Sequence, residues 1–212
     1  MTEKSTWKLA AETLKTNRTL ARTFFEVLYL KKRGAYRGKN TSYEEQRDVA
    51  FSLLDDRNYS LGLEVGCGEG FTTHRIAGRC DRVIATDVSA VALKRAQERN
   101  AHLDGIEFRQ HDLARDNLDA GHDYVFCGEV LYYFTYDQLI KVVERLARSL
   151  RTGGTLHLMH HRAVGDDEFG LDKAFGARTI HDMFADRDDM SIAVDHFYDR
   201  LRATVLKKLA PA

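Results

Sequence analysis

The chain contains very little proline and no paired cysteine motif. Pro211 is the only proline among the 212 residues, so no proline-rich linker divides the chain and no predicted helix or strand is broken by this residue type. The three cysteines, Cys67, Cys80 and Cys127, have no Cys-x-x-Cys spacing. This usage favours reduced thiols packed inside the fold over a disulfide framework.

Net charge and long apolar runs are missing as well. Thirty-two Lys/Arg balance 32 Asp/Glu, so bulk charge gives no attraction to nucleic acid or to a membrane surface. No apolar stretch approaches the ~20 residues that span a bilayer, and the N-terminus carries charges in place of a signal-peptide core. We therefore expect a cytoplasmic protein without membrane contact, built as one domain that exists as a monomer or homodimer.

The charges that are present are unevenly distributed. Residues 1–40 hold ten Lys/Arg and three acids, whereas residues 162–195 hold nine acids and four Lys/Arg. The basic segment also contains aromatic residues, so phosphate contacts and base stacking on nucleic acid remain an alternative for it. The acidic segment would favour a cationic acceptor if it lines the site.

A glycine-rich loop is the strongest signal in the chain. Residues 63–70 read Leu-Glu-Val-Gly-Cys-Gly-Glu-Gly, and the apolar run before them predicts a buried strand that ends in a sharp turn before a helix. Asp87 closes the next apolar run, 87 − 70 = 17 positions after the last glycine. A carboxylate there can accept hydrogen bonds from both ribose hydroxyls, so an adenosine-containing ligand is expected.

The spacing of the glycines shows which nucleotide-binding motif the loop resembles. Phe71 occupies the position of the third glycine of a dinucleotide fingerprint, and no Gly-Lys-Ser/Thr follows the loop as a Walker A motif requires. The Gly-x-Gly-x-Gly pattern, with Glu64 two residues before it, resembles motif I of class I S-adenosyl-L-methionine (SAM) methyltransferases. That resemblance implies SAM as the cofactor and S-adenosyl-L-homocysteine (SAH) as its product.

Strands and helices alternate along the rest of the chain. The pattern predicts strands at 61–65, 82–86, 106–109, 122–127 and 155–159, and helices at 70–78, 89–101 and 136–150, the last ending at a Gly153-Gly154 C-cap. Such alternation implies an α/β fold with a parallel, doubly wound sheet. A short helix at 178–185 and a hairpin of strands at 191–197 and 202–209 resemble the class I methyltransferase ending, in which a reversed seventh strand lies beside strand 5.

The N-terminal part is predicted to be helical. Apolar positions between residues 5 and 32 fit one or two amphipathic helices, and Ser42 with Glu45 forms a candidate capping box for a helix at 43–54. We expect residues 1–55 to be a helical extension that covers the cofactor site, and residues 56–212 to be the SAM-binding core.

Two further segments narrow the resemblance. Glu-Val-Leu-Tyr-Tyr-Phe at 129–134 and Leu-Arg-Thr-Gly-Gly-Thr-Leu at 150–156 are similar to the NodS family of SAM-dependent N-methyltransferases, which act on the amine of a chitooligosaccharide. The likeness runs from about Phe24 to the C-terminus. It implies a seven-stranded Rossmann-like class I methyltransferase that methylates a small-molecule acceptor, with an amine preferred.

Other acceptors stay open at this point. They are a hydroxyl or carboxyl group, a protein or a nucleic acid, and the chain could also bind SAM for chemistry other than methyl transfer. Base-amine methyltransferases typically carry Asn/Asp-Pro-Pro-aromatic after strand 4, where this chain has Cys127-Gly128-Glu129-Val130. That difference argues against nucleic acid.

Ligands of open α/β sheets bind outside the carboxyl ends of the strands, which locates the candidate site. Asp87 is the expected ribose ligand, and Asp112 with the amide beside it is expected at the adenine. The family resemblance implies that a residue of the N-terminal segment covers the cofactor, and Arg37, which stands at the matching place, is expected at the methionine carboxylate. The predicted cofactor-binding residues are Arg37, Glu64, Gly66, Cys67, Gly68, Gly70, Asp87, Val88, Asp112, Leu113, Gly128, Glu129 and Val130.

Four residues are predicted to take part in catalysis: Glu129, Tyr133, His160 and His161. Glu129 follows a strand end and is expected to orient the methionine moiety or the acceptor. Consecutive residues of a strand point to opposite sides, so one of the two histidines should face the site as a base. Tyr133, with Tyr132 and Tyr36, is expected to wall the site by cation–π attraction to the sulfonium. No carboxylate spacing supports a metal site.

Overall fold

The computed structural model describes residues 18–31, 41–162 and 175–210. The helices are α1 (Arg18–Lys31), α2 (Thr41–Ser52), α3 (Thr73–Ala77), α4 (Ala90–Arg99), α5 (Tyr136–Ser149) and α6 (Ala177–Ala185). The strands are β1 (Tyr59–Val65), β2 (Cys80–Asp87), β3 (Ile106–Gln110), β4 (His122–Gly128), β5 (Leu150–His161), β6 (Met190–Tyr198) and β7 (Leu201–Lys208), and a 3-10 turn spans Leu131–Tyr133.

The seven strands form one sheet in the order β3-β2-β1-β4-β5-β7-β6. Strands β1 to β5 pair in parallel, whereas β7 runs antiparallel to both β5 and β6. The class I methyltransferase fold with a reversed seventh strand is thereby confirmed. The chain builds outward from β1 in one direction and from β4 in the other, so the switch point lies between these two strands.

Hydrophobic cores lie on both faces of the sheet, which explains why the central strands are almost continuously apolar. Helix α5 buries a stripe of Leu139, Val142, Val143 and Leu146 in one core together with α6. Helix α2 contributes Ala50 and Phe51 to the core on the other face. A third, smaller cluster packs α1 against α4, which positions the N-terminal helix over the loop that follows β2.

The predicted C-cap at Gly153-Gly154 is wrong. Helix α5 ends at Ser149, Leu150 is already extended, and both glycines lie inside β5. The left-handed backbone of Gly153 belongs to an irregular stretch of this strand, where the pairing with β4 shifts register. Strand β5 therefore begins five residues earlier than the sequence pattern indicated (155 − 150 = 5).

Helix starts also differ from the prediction. Helix α2 begins at Thr41, so Ser42 lies within the helix instead of capping it. A complete capping box is found instead at α5, where Thr135 and Gln138 bond each other's backbone amides. Helix α3 begins at Thr73, three residues later than expected, because the glycine loop continues as turns.

Within the described ranges, no helix has the length and apolarity that a membrane span requires.

Candidate active site

The glycine loop after β1 packs too closely for larger residues. Gly66 has a φ of 67°, and a Cβ added there would lie 2.1 Å from the Cγ2 of Val130. Gly70 has a φ of 76°, and its added Cβ would lie 2.5 Å from the Nδ2 of Asn100. Asn100 Nδ2 also donates a hydrogen bond to the Gly70 carbonyl at 3.1 Å. The loop is therefore held between the exit of β4 and the end of α4.

Asp87 is bound to the glycine loop across the two strands. Its Oδ2 accepts a hydrogen bond from the amide of Gly68 at 2.9 Å, and its Oδ1 accepts one from the amide of Ser89 at 2.9 Å. Burial raises the pKa of Asp87 to about 6, although these two hydrogen bonds act in the opposite direction. An ionised carboxylate has about four acceptor positions, so this geometry leaves acceptor capacity for ribose hydroxyls.

Glu64 lies in β1 directly before the glycine loop, and Cys67 is a buried residue of the loop itself. Glu64 Oε2 accepts a hydrogen bond from the Thr73 hydroxyl at 2.6 Å, which ties the end of β1 to the start of α3. Burial raises the pKa of Glu64 to about 7. Burial, with the nearby Glu64 and Asp87, holds the pKa of the Cys67 thiol well above its usual range. Cys67 is therefore a protonated packing residue, not a nucleophile.

The end of β3 brings the predicted adenine ligands beside Asp87. The amide of His111 donates to the Asp87 carbonyl at 2.9 Å, so Asp112 and Leu113 follow directly next to the ribose candidate. Leu113 is buried and Val88 is half-buried against the cluster between α1 and α4. Asp87, Val88, Asp112 and Leu113 thus lie along one edge of the sheet.

Glu129 follows Gly128, the last residue of β4, with a φ of 59°. A left-handed backbone costs a non-glycine residue about 1 kcal/mol or more, so its neighbours must hold it. Its amide donates to the Met159 carbonyl at 2.9 Å, and its Oε1 accepts from the amide of His161 at 2.6 Å. Its Oε2 accepts a short hydrogen bond from the Tyr132 hydroxyl and lies 2.9 Å from Nδ1 of His161.

These contacts keep the carboxylate ionised. Burial alone would raise the pKa of Glu129, but the hydrogen bond to His161, with a smaller contribution from the hydrogen bond of Tyr132, lowers it overall. The side chain is 26% exposed. The site therefore presents a fixed negative charge at the carboxyl end of β4.

The two consecutive histidines point to opposite faces of β5. His160 is fully buried: its Nδ1 lies 3.1 Å from Nε2 of His181, and its Nε2 lies 3.4 Å from the amide of Leu131. Burial lowers the pKa of His160 to about 4, so its imidazole is neutral. The ring of His161, in contrast, lies 4.7 Å from that of Tyr43. The structure brings His161 to Glu129 and leaves His160 in the interior.

Tyr133 joins the 3-10 turn to the N-terminal helix. Its ring makes an edge contact with Phe25 of α1 at 5.4 Å and another with Tyr132 at 5.0 Å.

Helix α1 makes a further polar contact: the carboxylate of Glu26 accepts hydrogen bonds from the Ser89 hydroxyl and from the first amides of α4. No local spacing in the sequence reveals this contact, because its partners are more than sixty positions apart.

Helix α2 supplies two residues that sequence reasoning missed, Tyr43 and Arg47. The Arg47 side chain is 9% exposed and donates to Glu44 at 2.9 Å, whereas its Nε is buried without a hydrogen-bond partner among the described residues. The Cζ of Arg47 lies 5.9 Å from the centroid of the Tyr43 ring. The charge of Arg47 lowers the pKa of both Glu64 and Tyr43. The predicted cofactor ligand Arg37 and the predicted wall residue Tyr36 lie outside the described residues.

In the described segments 18–31, 41–162 and 175–210, no group of three or more His, Cys, Asp or Glu side chains is arranged to hold a metal ion.

Comparison with known proteins also identifies methyltransferases as the relatives of this chain. Residues 63–154 match the family model described as a methyltransferase domain. A chemotaxis protein methyltransferase of Listeria monocytogenes is 26% identical over 210 residues, covering 81% of this chain and 78% of that protein. Nodulation protein S of Azorhizobium caulinodans is 30% identical over 115 residues, covering 53% of this chain and 55% of that protein.

A solved structure agrees with the fold. The N-methyltransferase NodS from Bradyrhizobium japonicum WM9, in complex with SAH, superposes with a TM-score of 0.73 and 22% identity, covering 84% of this chain and 93% of that one. The tight glycine loop and the Asp87 carboxylate bound to it fit an adenosine ligand. The chain is therefore a class I SAM-dependent methyltransferase that resembles NodS.

Proposed function

We propose that the protein transfers the SAM methyl group to an amine nitrogen of a small molecule. When bound, SAM supplies an electrophilic methyl group on a sulfonium. The observation that supports an amine is the ionised, fixed carboxylate of Glu129. An attacking nitrogen gains positive charge, which a nearby carboxylate stabilises. The same carboxylate would repel an anionic carboxylate acceptor, and this argues for an amine.

Different residues would contact the ribose, the adenine and the methionine moiety of the cofactor. Asp87 would accept from the ribose hydroxyls, and Val88, Asp112 and Leu113 would border the adenine. The loop Gly66-Cys67-Gly68, preceded by Glu64 and closed by Gly70, would face the methionine moiety together with Gly128 and Val130.

Arg47 is our candidate partner for the methionine carboxylate. It is a buried cation with an unpartnered Nε beside the start of the glycine loop, and the charge-assisted hydrogen bond to a carboxylate would satisfy it. Arg37, the partner expected from the family resemblance, stays a second candidate.

His161 and Tyr43 complete the acceptor side. The backbone amide and ring of His161 both hold Glu129, so His161 fixes the carboxylate and can take up the proton that the methylated amine releases. Tyr43 stacks on His161, and Tyr133 would form the wall toward α1. His160, buried and neutral, would support the site only through packing.

The N-terminal region, residues 1–55, would act as a cover over the bound cofactor. Helix α1 already contacts the site, because the Tyr29 hydroxyl lies 3.0 Å from the position of a Cβ at Gly68. The core from residue 56 onward would then bind SAM under this cover. We further propose that the partner is a small molecule and not nucleic acid, and that the protein works in the cytoplasm as a monomer or homodimer.

The proposal is tested with methyl-labelled SAM, the purified protein and a cell extract. Label is counted separately in the small-molecule, protein and nucleic-acid fractions. We expect label in small molecules with wild type, a strong loss with Glu129→Gln, and no loss with Glu98→Gln, a matched control at an exposed position of α4. Label in a macromolecule, or none despite SAM binding, would contradict it.

A further inference from the structure

The guanidinium group of Arg47 has one open edge. Within the described residues, its hydrogen bonding is limited to Nη1, which donates to Oε1 of Glu44 at 2.9 Å. Its Nε is buried and has no hydrogen-bond partner there. Nε and Nη2 together form an edge of the planar guanidinium fork that can bind both oxygens of a carboxylate. The edge that suits the methionine carboxylate is therefore the one that Glu44 does not occupy.

Glu44 is shared between Arg47 and a second arginine. Its Oε2 accepts a hydrogen bond from Nη2 of Arg75 at 2.9 Å. Glu44 lies three residues before Arg47 in α2, a spacing at which side chains meet on a helix surface. The Glu44 side chain is half exposed, so its orientation depends on these ion pairs. With Oε2 bound to Arg75, only Oε1 is left for Arg47, and Glu44 cannot pair with Arg47 through both oxygens.

Arg75 is held in place in α3, the helix that follows the glycine loop. Its Nε and Nη2 donate to Oδ1 of Asp48 at 3.1 and 2.7 Å. Its Nη1 lies 3.1 Å from Nε2 of His74. Burial, with the charge of Arg75, lowers the pKa of His74, so the imidazole is neutral and can accept this hydrogen bond. Asp48 and His74 thus fix Arg75 where it binds Glu44.

We propose that Arg75 is a positioning residue for the cofactor: it binds one oxygen of Glu44 and so keeps the Nε–Nη2 edge of Arg47 open for the methionine carboxylate. The inference rests on the function proposed for Arg47. Without Arg75, both oxygens of Glu44 would be free to pair with Arg47, and this charge-assisted pair would compete with the cofactor. Isolated exposed ion pairs contribute little, but Arg47, Glu44, Arg75 and Asp48 form one connected network.

Calorimetric titration of the full chain with SAH tests the proposal. Arg75→Gln should weaken SAH binding about threefold, in the range of a networked surface ion pair. Glu44→Gln, which removes the competing charge, should bind SAH at least as tightly as wild type. The double variant should regain the affinity that Arg75→Gln loses. A purely structural role of Arg75 would not give this recovery, because removing a second member of the network cannot repair a damaged fold.

Two controls accompany the titration. Arg82→Gln, which removes the same charge from an exposed position of β2, should bind SAH like wild type. Methylthioadenosine lacks the methionine carboxylate, so its affinity should be the same in wild type, Arg75→Gln and the double variant. Urea unfolding shows that each variant is folded.

Several outcomes would overturn the inference. They are normal SAH binding in Arg75→Gln, a loss that Glu44→Gln does not reverse, a loss in Glu44→Gln alone, and equal weakening of methylthioadenosine in Arg75→Gln. If Arg47→Gln loses SAH affinity and Arg75→Gln does not, only the role of Arg75 fails. If neither loses affinity, the proposed role of Arg47 fails with it. Amine methylation is tested apart from both, by the labelled-SAM experiment with Glu129→Gln.

Discussion

Glu26 caps a helix from which it is separated by more than sixty residues. Its carboxylate accepts hydrogen bonds from the Ala90 amide at 2.8 Å and from the Val91 amide at 3.1 Å, at the positive end of α4. Ser89, the residue that also binds Asp87 through its amide, donates its hydroxyl to Glu26 at 2.8 Å. The N-terminal helix and the ribose candidate are thus joined through one residue.

Replacing Glu26 with Gln should therefore weaken both stability and cofactor binding. Loss of a capping carboxylate costs about 0.5–2 kcal/mol, and release of Ser89 would loosen the loop that holds Asp87. Urea unfolding and SAH titration measure the two effects, with Glu98→Gln as the control on the same helix. A variant that is destabilised but binds SAH normally would show that α1 has no influence on the site.

Asp87→Asn should lower SAH affinity about tenfold or more, because a charge-assisted hydrogen bond contributes about 1.5–3 kcal/mol. Asp104→Ala, at an exposed position, is the control and should bind SAH normally. Isothermal titration gives both affinities. Unchanged affinity in Asp87→Asn would exclude the ribose assignment.

The raised pKa of Asp87 makes cofactor binding depend on pH. Only the ionised carboxylate accepts from both ribose hydroxyls, and burial brings its pKa to about 6. SAH affinity should hence be constant above pH 7 and should fall as pH drops through 6. In Asp87→Asn this fall should disappear, and a fall of the same size in that variant would assign it to another group.

Substitutions of His160 and His161 should have different effects, one on stability and the other on turnover. His161→Gln should lower kcat about a hundredfold, the lower range for a general base, with SAH affinity unchanged. His160→Gln should cost about 1–3 kcal/mol of stability through its buried hydrogen bonds and leave kcat near wild type. Urea unfolding and single-turnover rates measure the two quantities. A large loss of kcat in folded His160→Gln would mean that the interior histidine takes part in the reaction.

His160 should also contribute to acid sensitivity. Its pKa is about 4 in the folded protein and about 6.5 in an unfolded chain, so the unfolded state binds the extra proton between these values. Its contribution therefore falls as pH drops from 6.5 to 4, by up to about 1.4 kcal/mol per pH unit. Wild type should lose more stability than His160→Gln between pH 7 and pH 5, as measured by urea unfolding. Parallel losses would show that His160 is not neutral in the fold.

The sequence predicted the sheet well because its signals are local. Each strand is a short apolar run, and the loop with Asp87 follows a fixed spacing, so the edge that carries Asp87, Asp112 and Glu129 could be found without coordinates. Gly153-Gly154 misled the prediction because glycines end helices and interrupt strands alike. Glu26 and Arg47 were missed because their partners are distant in sequence, and only tertiary packing brings a cap or a buried cation to a site.

A substitution of Arg47 can show whether this residue binds the methionine part of the cofactor. If its guanidinium binds the methionine carboxylate, Arg47→Gln should weaken SAH binding about tenfold or more, in the range of a charge-assisted hydrogen bond. Methylthioadenosine lacks that carboxylate, so its affinity should be the same in wild type and variant. Arg82→Gln should alter neither ligand's affinity. Equal weakening of both ligands in Arg47→Gln would instead assign Arg47 a structural role beside Glu64, and Arg37 would become the remaining candidate for the carboxylate.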